Sequence, residues 1–476
     1  MTHALTPPVP RRPRKRLAAL LASAALLGGC ASFTPDGGFA PVQQTAKDRL
    51  GKDLHWARSD ADREAIDQRV RELLAGPLSA DDAVQIALLN NRGLQAAYQE
   101  LGMAEAELVQ AGRLPNPGVA FARTKQGGEV ELEWLLAINV ARLIAIPLFM
   151  EVESRRFAHT QLRVSLQMAT LAADTRKAYI RALAAEETVR YMRQVMQAAE
   201  ASAELARRMQ QVGNFNKLQR AREQGFYADA ALNLARAEQA QRATRERLTR
   251  LLGLWGAQTQ FSLPERLPDL PESVVDLPDL ERLALEQRLD VRAAKLAAEQ
   301  TAKNLGLTRT TRFINVLEVG GIYNTYNDAP SQRGYEIAFE LPLFDWGDAR
   351  VAKAEAIYMQ AVDRAAQTAI DARSQVREAY AGYRSAYDIA RHQRDEIVPV
   401  RQRISEENLL RYNGMLIGVF ELLADARAQI ASVNGAIEAL RDFWIAQADL
   451  DMALIGEPRL AVAAGPAATA EAGPAH

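Results

Sequence analysis

One long pattern is written twice in this chain, and few compact folds accommodate it. Ala83 to Ala97 lies over Leu280 to Ala294, with Ile86 on Leu283, Ala87 on Ala284 and Leu94 on Val291. Farther along, Pro147-Leu148-Phe149 meets Pro342-Leu343-Phe344, Arg176-Lys177-Ala178-Tyr179 meets Arg377-Glu378-Ala379-Tyr380, and Leu252-Gly253 meets Ile455-Gly456. The copies span residues 78–253 and 278–456. Prolines 264, 268 and 271 mark the linker 254–277 between them, because proline cannot sustain a helix interior. At 476 residues the chain is too long for a typical single core, and a tandem repeat accounts for the length.

Each copy has the same internal order: a helical pattern of about thirty-three residues, two candidate strands, a helical pattern of some sixty-five to seventy, a turn, and a helix of about forty. The long helix would measure on the order of 100 Å. Apolar residues recur along it at threes and fours, as in Val189, Met192, Val195 and Ala199, and in Val376, Ala379, Tyr383, Ala386 and Ile389. Such stripes need partners over their whole length, so the helices are expected to pack side by side, coiled-coil fashion. The two shorter helices of a copy add up to the long one, which predicts that they stack end to end beside it.

The strands discriminate further. In Val130 to Val140 one face carries Val130, Leu132, Trp134, Leu136, Ile138 and Val140, and the other Glu131, Glu133 and Asn139. Tyr335 to Leu341 sets Tyr335, Ile337, Phe339 and Leu341 against Glu336, Ala338 and Glu340. The partner segments from Val119 and from Ile314 alternate less cleanly, and Gly320-Gly321 weakens the second. The pattern alone fits a barrel strand facing lipid and a half-buried hairpin in a soluble sheet equally well.

The amino-terminal end adds a location. A basic run, Arg11 to Arg16, precedes an apolar segment, Leu17 to Leu27, of about eleven residues, the length of a signal-peptide core and too short to span a bilayer. Gly28-Gly29-Cys30 follows, similar to a bacterial lipobox in which Cys30 is acylated and begins the mature chain. Residues 1–29 are therefore expected to be a lipoprotein signal peptide and 30–77 a lipid-anchored segment, with Ala31 implying sorting to the outer membrane. Cys30 is the single cysteine, so no disulfide framework exists. Residues 457–476, small and punctuated by proline, read as a disordered tail.

Four strands cannot close a barrel, and an open edge in lipid leaves backbone groups unsatisfied, so several copies would share one barrel. Here the chain resembles the TolC-like outer-membrane efflux proteins, in particular their lipid-anchored members. The resemblance rests on the duplicated helix, strand, strand, long-helix order, on IPLF and LPLFDWGDAR at the strand-to-helix junctions, and on the tip RYNGMLIGVFELLADA. It implies an α+β membrane protein in which three chains complete a twelve-stranded β-barrel on a long α-helical periplasmic tunnel. It implies that Pro147 and Pro342 redirect the chain where barrel becomes tunnel. The first copy departs from the pattern, since Met150 to Arg156 replaces the usual Asp-Gly turn.

The resemblance also implies where function resides. The turns joining the long helices to their returning partners would form a periplasmic mouth that meets an adaptor protein. They hold Gly213, Asn214, Phe215 and Asn216 in one copy and Gly414, Met415, Leu416 and Gly418 in the other. Alignment sets Gly213 against Met415, Asn216 against Gly418 and Gln219 against Glu421, and Glu421 falls where the family often places an aperture-lining acid. The second acid of that motif is Ala424 here, with Asp425 one residue on. The implied function is a passive exit duct, with an inner-membrane pump supplying energy through the adaptor. A protein-secretion duct and a lipid-anchored periplasmic coiled-coil scaffold are the competing readings.

Other chemistry has little support. The five histidines, His3, His55, His159, His392 and His476, lie far apart, and neither a phosphate-cradling loop nor a nucleophile elbow is present, which argues against an enzyme, a resident metal or a cofactor. A formal net charge of -1 gives no electrostatic case for nucleic acid. The cargo, whether drug, copper or another metal ion, is not written in any ligand cluster.

Overall fold

The computed structural model describes residues 32–313 and 316–460. Cys30, the signal segment before it and residues 461–476 of the tail lie outside the described residues.

Among the described residues, two helices, α1 (Ala40–Leu50) and α2 (Asp60–Leu73), precede the first repeat. That repeat comprises α3 (Ala80–Asn90), α4 (Arg92–Ala111), β1 (Gly118–Gln126), β2 (Glu129–Asn139), α5 (Val140–Gln211) and α6 (Lys217–Leu252). The second comprises α7 (Leu280–Gln287), α8 (Leu289–Thr311), β3 (Leu317–Tyr326), β4 (Gln332–Phe339), α9 (Asp348–His392), a π-helical turn (Gln393–Ile397), α10 (Val398–Asn413) and α11 (Val419–Ala453). The class is α+β, with four strands among the described residues. No helix among the described residues is long and apolar enough to cross a membrane.

The chain divides into two compact units, one of which holds residues 99–161 and 294–365 and the described residues up to Ala40. Its four strands form one antiparallel sheet in the order β1-β2-β3-β4, so β1 and β4 are open edges. Opposite residues share a face, and the register therefore puts Phe121, Trp134 and Tyr323 in one row and Val319 and Ile337 in another, all on the apolar face. Glu129, Glu131, Glu133, Glu318 and Glu336 all fall on the opposite face. Glu131 is held there by Asn324 Nδ2 at 2.9 Å and the Tyr326 hydroxyl at 2.8 Å. Gly320, expected to weaken its strand, is instead fitted to it: a Cβ there would meet Leu135 Cδ1 at 2.8 Å and the Leu136 carbonyl at 3.2 Å.

The other unit holds residues 41–98 and 162–293 and the chain from 366 onward. Here the predicted end-to-end stacking takes a specific form. The chain breaks between α3 and α4, where the side-chain amides of Asn90 and Asn91 donate to the carbonyls of Leu252, Gly253 and Leu251 at the end of α6. The equivalent break between α7 and α8 places Arg288, 1% exposed, against the Ala372 and Ala453 carbonyls, while the Leu289 N–H donates to the Ile455 carbonyl at 2.8 Å. Each returning helix thus ends on the break in its own repeat's paired helices, which satisfies carbonyls that a helix terminus leaves without partners.

The repeated Tyr landmark has a matching use. Tyr179 donates to the Leu78 carbonyl at 2.9 Å, and Tyr380 to Asp276 at 2.6 Å, each anchoring the segment that leads into its repeat. Beside Tyr179, Lys177 reaches Asp449 of α11 at 2.8 Å, with the two side chains only 5% and 8% exposed. Removing one partner of such a pair leaves a buried charge and costs about 3 to 5 kcal/mol. Around it lies a core of Leu78, Ile86, Leu183, Leu248 and Leu252.

Candidate functional site

The two helical turns share one backbone, residue for residue at an offset of 202. In the first, the Gly213 N–H donates to the Gln210 carbonyl and the Asn214 N–H to the Met209 carbonyl. In the second, Met415 donates to Tyr412 and Leu416 to Arg411 in the same manner. This pairing is a Schellman termination, which requires a left-handed residue just past the helix. Gly213 supplies it at φ 83°, and Met415, with a side chain, at φ 59°. Left-handed backbone costs a non-glycine residue roughly 1 to 2 kcal/mol, so this methionine is held at some expense of stability. Met415 is 93% exposed and Leu416 77%, with Gly414 before them ending α10.

The returning helices begin differently. Asn216 caps α6 in a reciprocal capping box: its side chain accepts from the Gln219 N–H at 2.8 Å, and Gln219 Oε1 accepts from the Asn216 N–H at 2.7 Å. Gly418, its counterpart before α11, has no side chain to cap with. Gln219 is therefore committed to its own helix, whereas Glu421, in the same position of the first turn, is exposed and has no side-chain hydrogen bond or ion pair among the described residues. Phe215 is half-buried, and its N–H donates to the Met209 carbonyl at 3.2 Å.

Behind the tips the two hairpins pack together. Phe226 of α6 lies 4.8 Å beneath the Arg427 guanidinium of α11, and Ile430 of α11 packs against Val195, Ala199 and Ala230. Sequence reasoning missed one feature here. Asp425 is 8% exposed, and among the described residues its Oδ2 has no hydrogen-bond partner, so within this chain it lies in the helix packing. Its equivalent at the same offset, Glu223, is buried but receives the Ser202 hydroxyl at 2.8 Å. The offset of 202 was the available signal. Near the end of α5, Arg207 and then Arg208 bond Glu204 and hold its carboxyl down to about 2.

The junctions require a correction. Strand β2 ends at Asn139 and α5 starts at Val140, so Pro147 lies inside a helix and does not redirect a strand. Met150 to Arg156, lacking a turn residue, is helical and paired on both sides: Glu151 to Lys303 at 2.8 Å, Arg155 to Glu299 at 2.7 Å and Arg156 to Glu107 at 3.0 Å. Pro342, by contrast, lies in the non-helical stretch between β4 and α9. There Asp345 Oδ1 accepts from the Gly347 N–H at 2.7 Å and Gly347 turns the chain at φ 75°.

Among the described residues no group of three or more His, Cys, Asp or Glu side chains is placed to hold a metal. The sequence model of the Outer membrane efflux protein family matches residues 280–454, from the start of α7 through the end of α11. The chain is also 26% identical over 305 residues, 62% of its length and 70% of the relative's, to the cobalt-zinc-cadmium resistance protein CzcC of Cupriavidus metallidurans. The family model thus matches the second of the two repeats. Solved structures agree in fold across both repeats. The outer-membrane channel CmeC of Campylobacter jejuni superposes with a TM-score of 0.70 at 15% identity, over 87% of this chain and 91% of that one. CusC, described in terms of folding and transmembrane channel formation, gives 0.67 at 18% over 79% and 92%, and the outer-membrane channel OprN 0.66 at 18% over 89% and 96%.

Proposed function

We propose that this protein is the passive outer-membrane exit duct of a tripartite efflux system, exporting small molecules or metal ions. Three chains share one twelve-stranded barrel, the long helices form the periplasmic tunnel, and the Gly213 and Met415 turns meet an adaptor that links the duct to an inner-membrane pump. The observation that carries this reading is the four-stranded sheet, apolar on one face, acidic on the other and open at both edges. A closed barrel is the one sheet that leaves no backbone group unpaired in lipid. The names of CzcC and CusC support metal-ion and channel roles, and Cys30 supplies a lipid anchor at the periplasmic face.

Glu421 is the gate residue in this reading. Threefold symmetry sets three such carboxylates at one radius around the axis, and a ring of like charge in a narrow opening favours cations. Purified protein in planar bilayers is expected to form cation-preferring channels. Glu421→Ala should lower that preference, and Gln219→Ala, which removes no charge, should do less. Absence of channels contradicts the duct, whereas channels with unchanged selectivity in Glu421→Ala contradict only the gate.

A further inference from the structure

The sheet separates charge by sign. All five strand carboxylates share one face, and all three strand cations, Arg123, Lys125 and Arg333, lie on the other. That other face is the apolar one, where an unneutralised cation is costly at mid-bilayer depth. The register shows how the cost is avoided. Arg123 is in the row of Leu132, Lys125 in the row of Val130, and Arg333 in the row of Tyr323, Trp134 and Phe121. The purely aliphatic and aromatic rows, containing Val119, Leu136, Ile138, Val319, Ile337 and Phe339, all lie nearer the helices. The cations are thus confined to the hairpin end, at or beyond a band of aromatic rings.

That band is assembled from contacts. Phe121 and Trp134 pack with ring centroids 4.6 Å apart at a tilt of 52°, and the Arg333 guanidinium lies 5.7 Å from the Tyr323 centroid. Aromatic girdles mark the interfaces of membrane barrels. None of the three cations has a carboxylate partner among the described residues, and no acid shares their face; Asp328 sits in the β3–β4 turn, past the strand rows. Exposed basic groups at headgroup depth complement phosphate, and an arginine can engage it with two parallel hydrogen bonds.

We infer that Arg123 and Lys125 on edge strand β1, together with Arg333 on the edge strand β4 that a neighbouring chain brings beside it in the shared barrel, form a site for the phosphorylated headgroups of anionic lipid in the outer leaflet. The inference rests on the barrel reading, which turns the apolar face to lipid and the hairpin end to the exterior, away from all four helices that join the strands. A trimer repeats the site three times, forming a basic collar.

The test uses the full-length trimer in phosphatidylcholine nanodiscs, with diphosphoryl lipid A as the probe and retained lipid A counted by mass spectrometry. Affinity should fall about fivefold for each charge removed by Arg123→Gln, Lys125→Gln or Arg333→Gln. Arg123→Lys and Arg333→Lys should retain the lipid, as should Glu133→Gln on the opposite face, and these variants also report on folding. Inorganic phosphate at matched concentration should not compete, since it lacks the apolar chains that seat the headgroup at the girdle. Equal retention by the triple glutamine variant, or full displacement by inorganic phosphate, overturns the headgroup site. Channel conductance measured in parallel separates the two claims: conducting trimers with charge-independent retention overturn the collar alone, and failure to form trimers overturns the duct and the collar with it.

Discussion

Ile146-Pro147-Leu148-Phe149 and Leu341-Pro342-Leu343-Phe344 are nearly the same word, yet the first is helix and the second is loop. The difference comes from the residues on the carboxyl-terminal side of each. After Phe344 the chain supplies Asp345 and Gly347, a side-chain acceptor and a left-handed turn residue, and the helix waits until Asp348. After Phe149 it supplies Met150, Glu151 and Val152, which offer no turn, and ion pairs from α4 and α8 hold that stretch as helix. Proline in a helix interior forfeits a hydrogen bond and crowds the preceding turn, so tertiary partners here override a local preference. A repeated word signals common ancestry of the two junctions, not common geometry.

The largest way to break this contrast is at Gly347. A Cβ there would come within 2.9 Å of Arg312 Cβ and 3.0 Å of its carbonyl, on a backbone at φ 75°. Gly347→Ala should therefore cost about 2 to 4 kcal/mol per chain, seen as a lower melting temperature of the purified protein. Gly128→Ala, at a hairpin position with open space and φ outside the left-handed region, is the matched control.

The prolines should respond with opposite signs. Pro147→Ala restores a helix donor and is expected to stabilise by about 1 to 3 kcal/mol, whereas Pro342→Ala, in a loop, should lose about 0.5 to 1 kcal/mol through the freer unfolded chain. The same melting assay reads both, and a loss in each would mean that the two prolines do the same job after all.

The smallest effect is electrostatic. Lys303, by hydrogen bond first and charge second, holds the Glu151 carboxyl below its ordinary value of 4.5. A depressed carboxylate contributes stability above its unfolded pKa and loses it as pH falls through the folded value. Lys303→Ala should therefore matter slightly at neutral pH and not at all in strong acid, and the pair's partial exposure to water, 46% and 40% for the two side chains, keeps the effect small. A melting difference that persists at low pH would assign Lys303 a packing role in place of a charge role.

These contrasts also mark what the sequence made legible. The repeat, its order and the alternating strands could be read because each rests on periodicity, and the tip alignment could be read because Gly213 signals a left-handed turn. Met415 gives no such sign, yet adopts the same backbone. The clamps at the helix breaks were hidden because unlike residues, Asn90 with Asn91 and Arg288, satisfy equivalent helix ends. The π-helical turn at Gln393–Ile397, just before Pro399, has no counterpart in the unbroken α5, and only packing distinguishes those two long helices. Burial of Asp425 depends on helix rotation, which spacing alone does not determine.

The proposed duct depends most on one face of the sheet meeting lipid. Ile337 pairs with Val319 on the apolar face, and the next residue, Ala338, pairs with Glu318 on the acidic face. Arginine at mid-bilayer costs about 2 to 4 kcal/mol at each position, and a trimer incurs it three times. The decisive measurement is the yield of heat-modifiable trimer extracted from outer membranes for Ile337→Arg, Ala338→Arg and the parent chain. A lipid-facing apolar surface predicts a severe loss for Ile337→Arg and near-parental yield for Ala338→Arg, whose side chain enters a water-filled, acid-lined lumen. Equal yields for the two, or the reverse order, would contradict it.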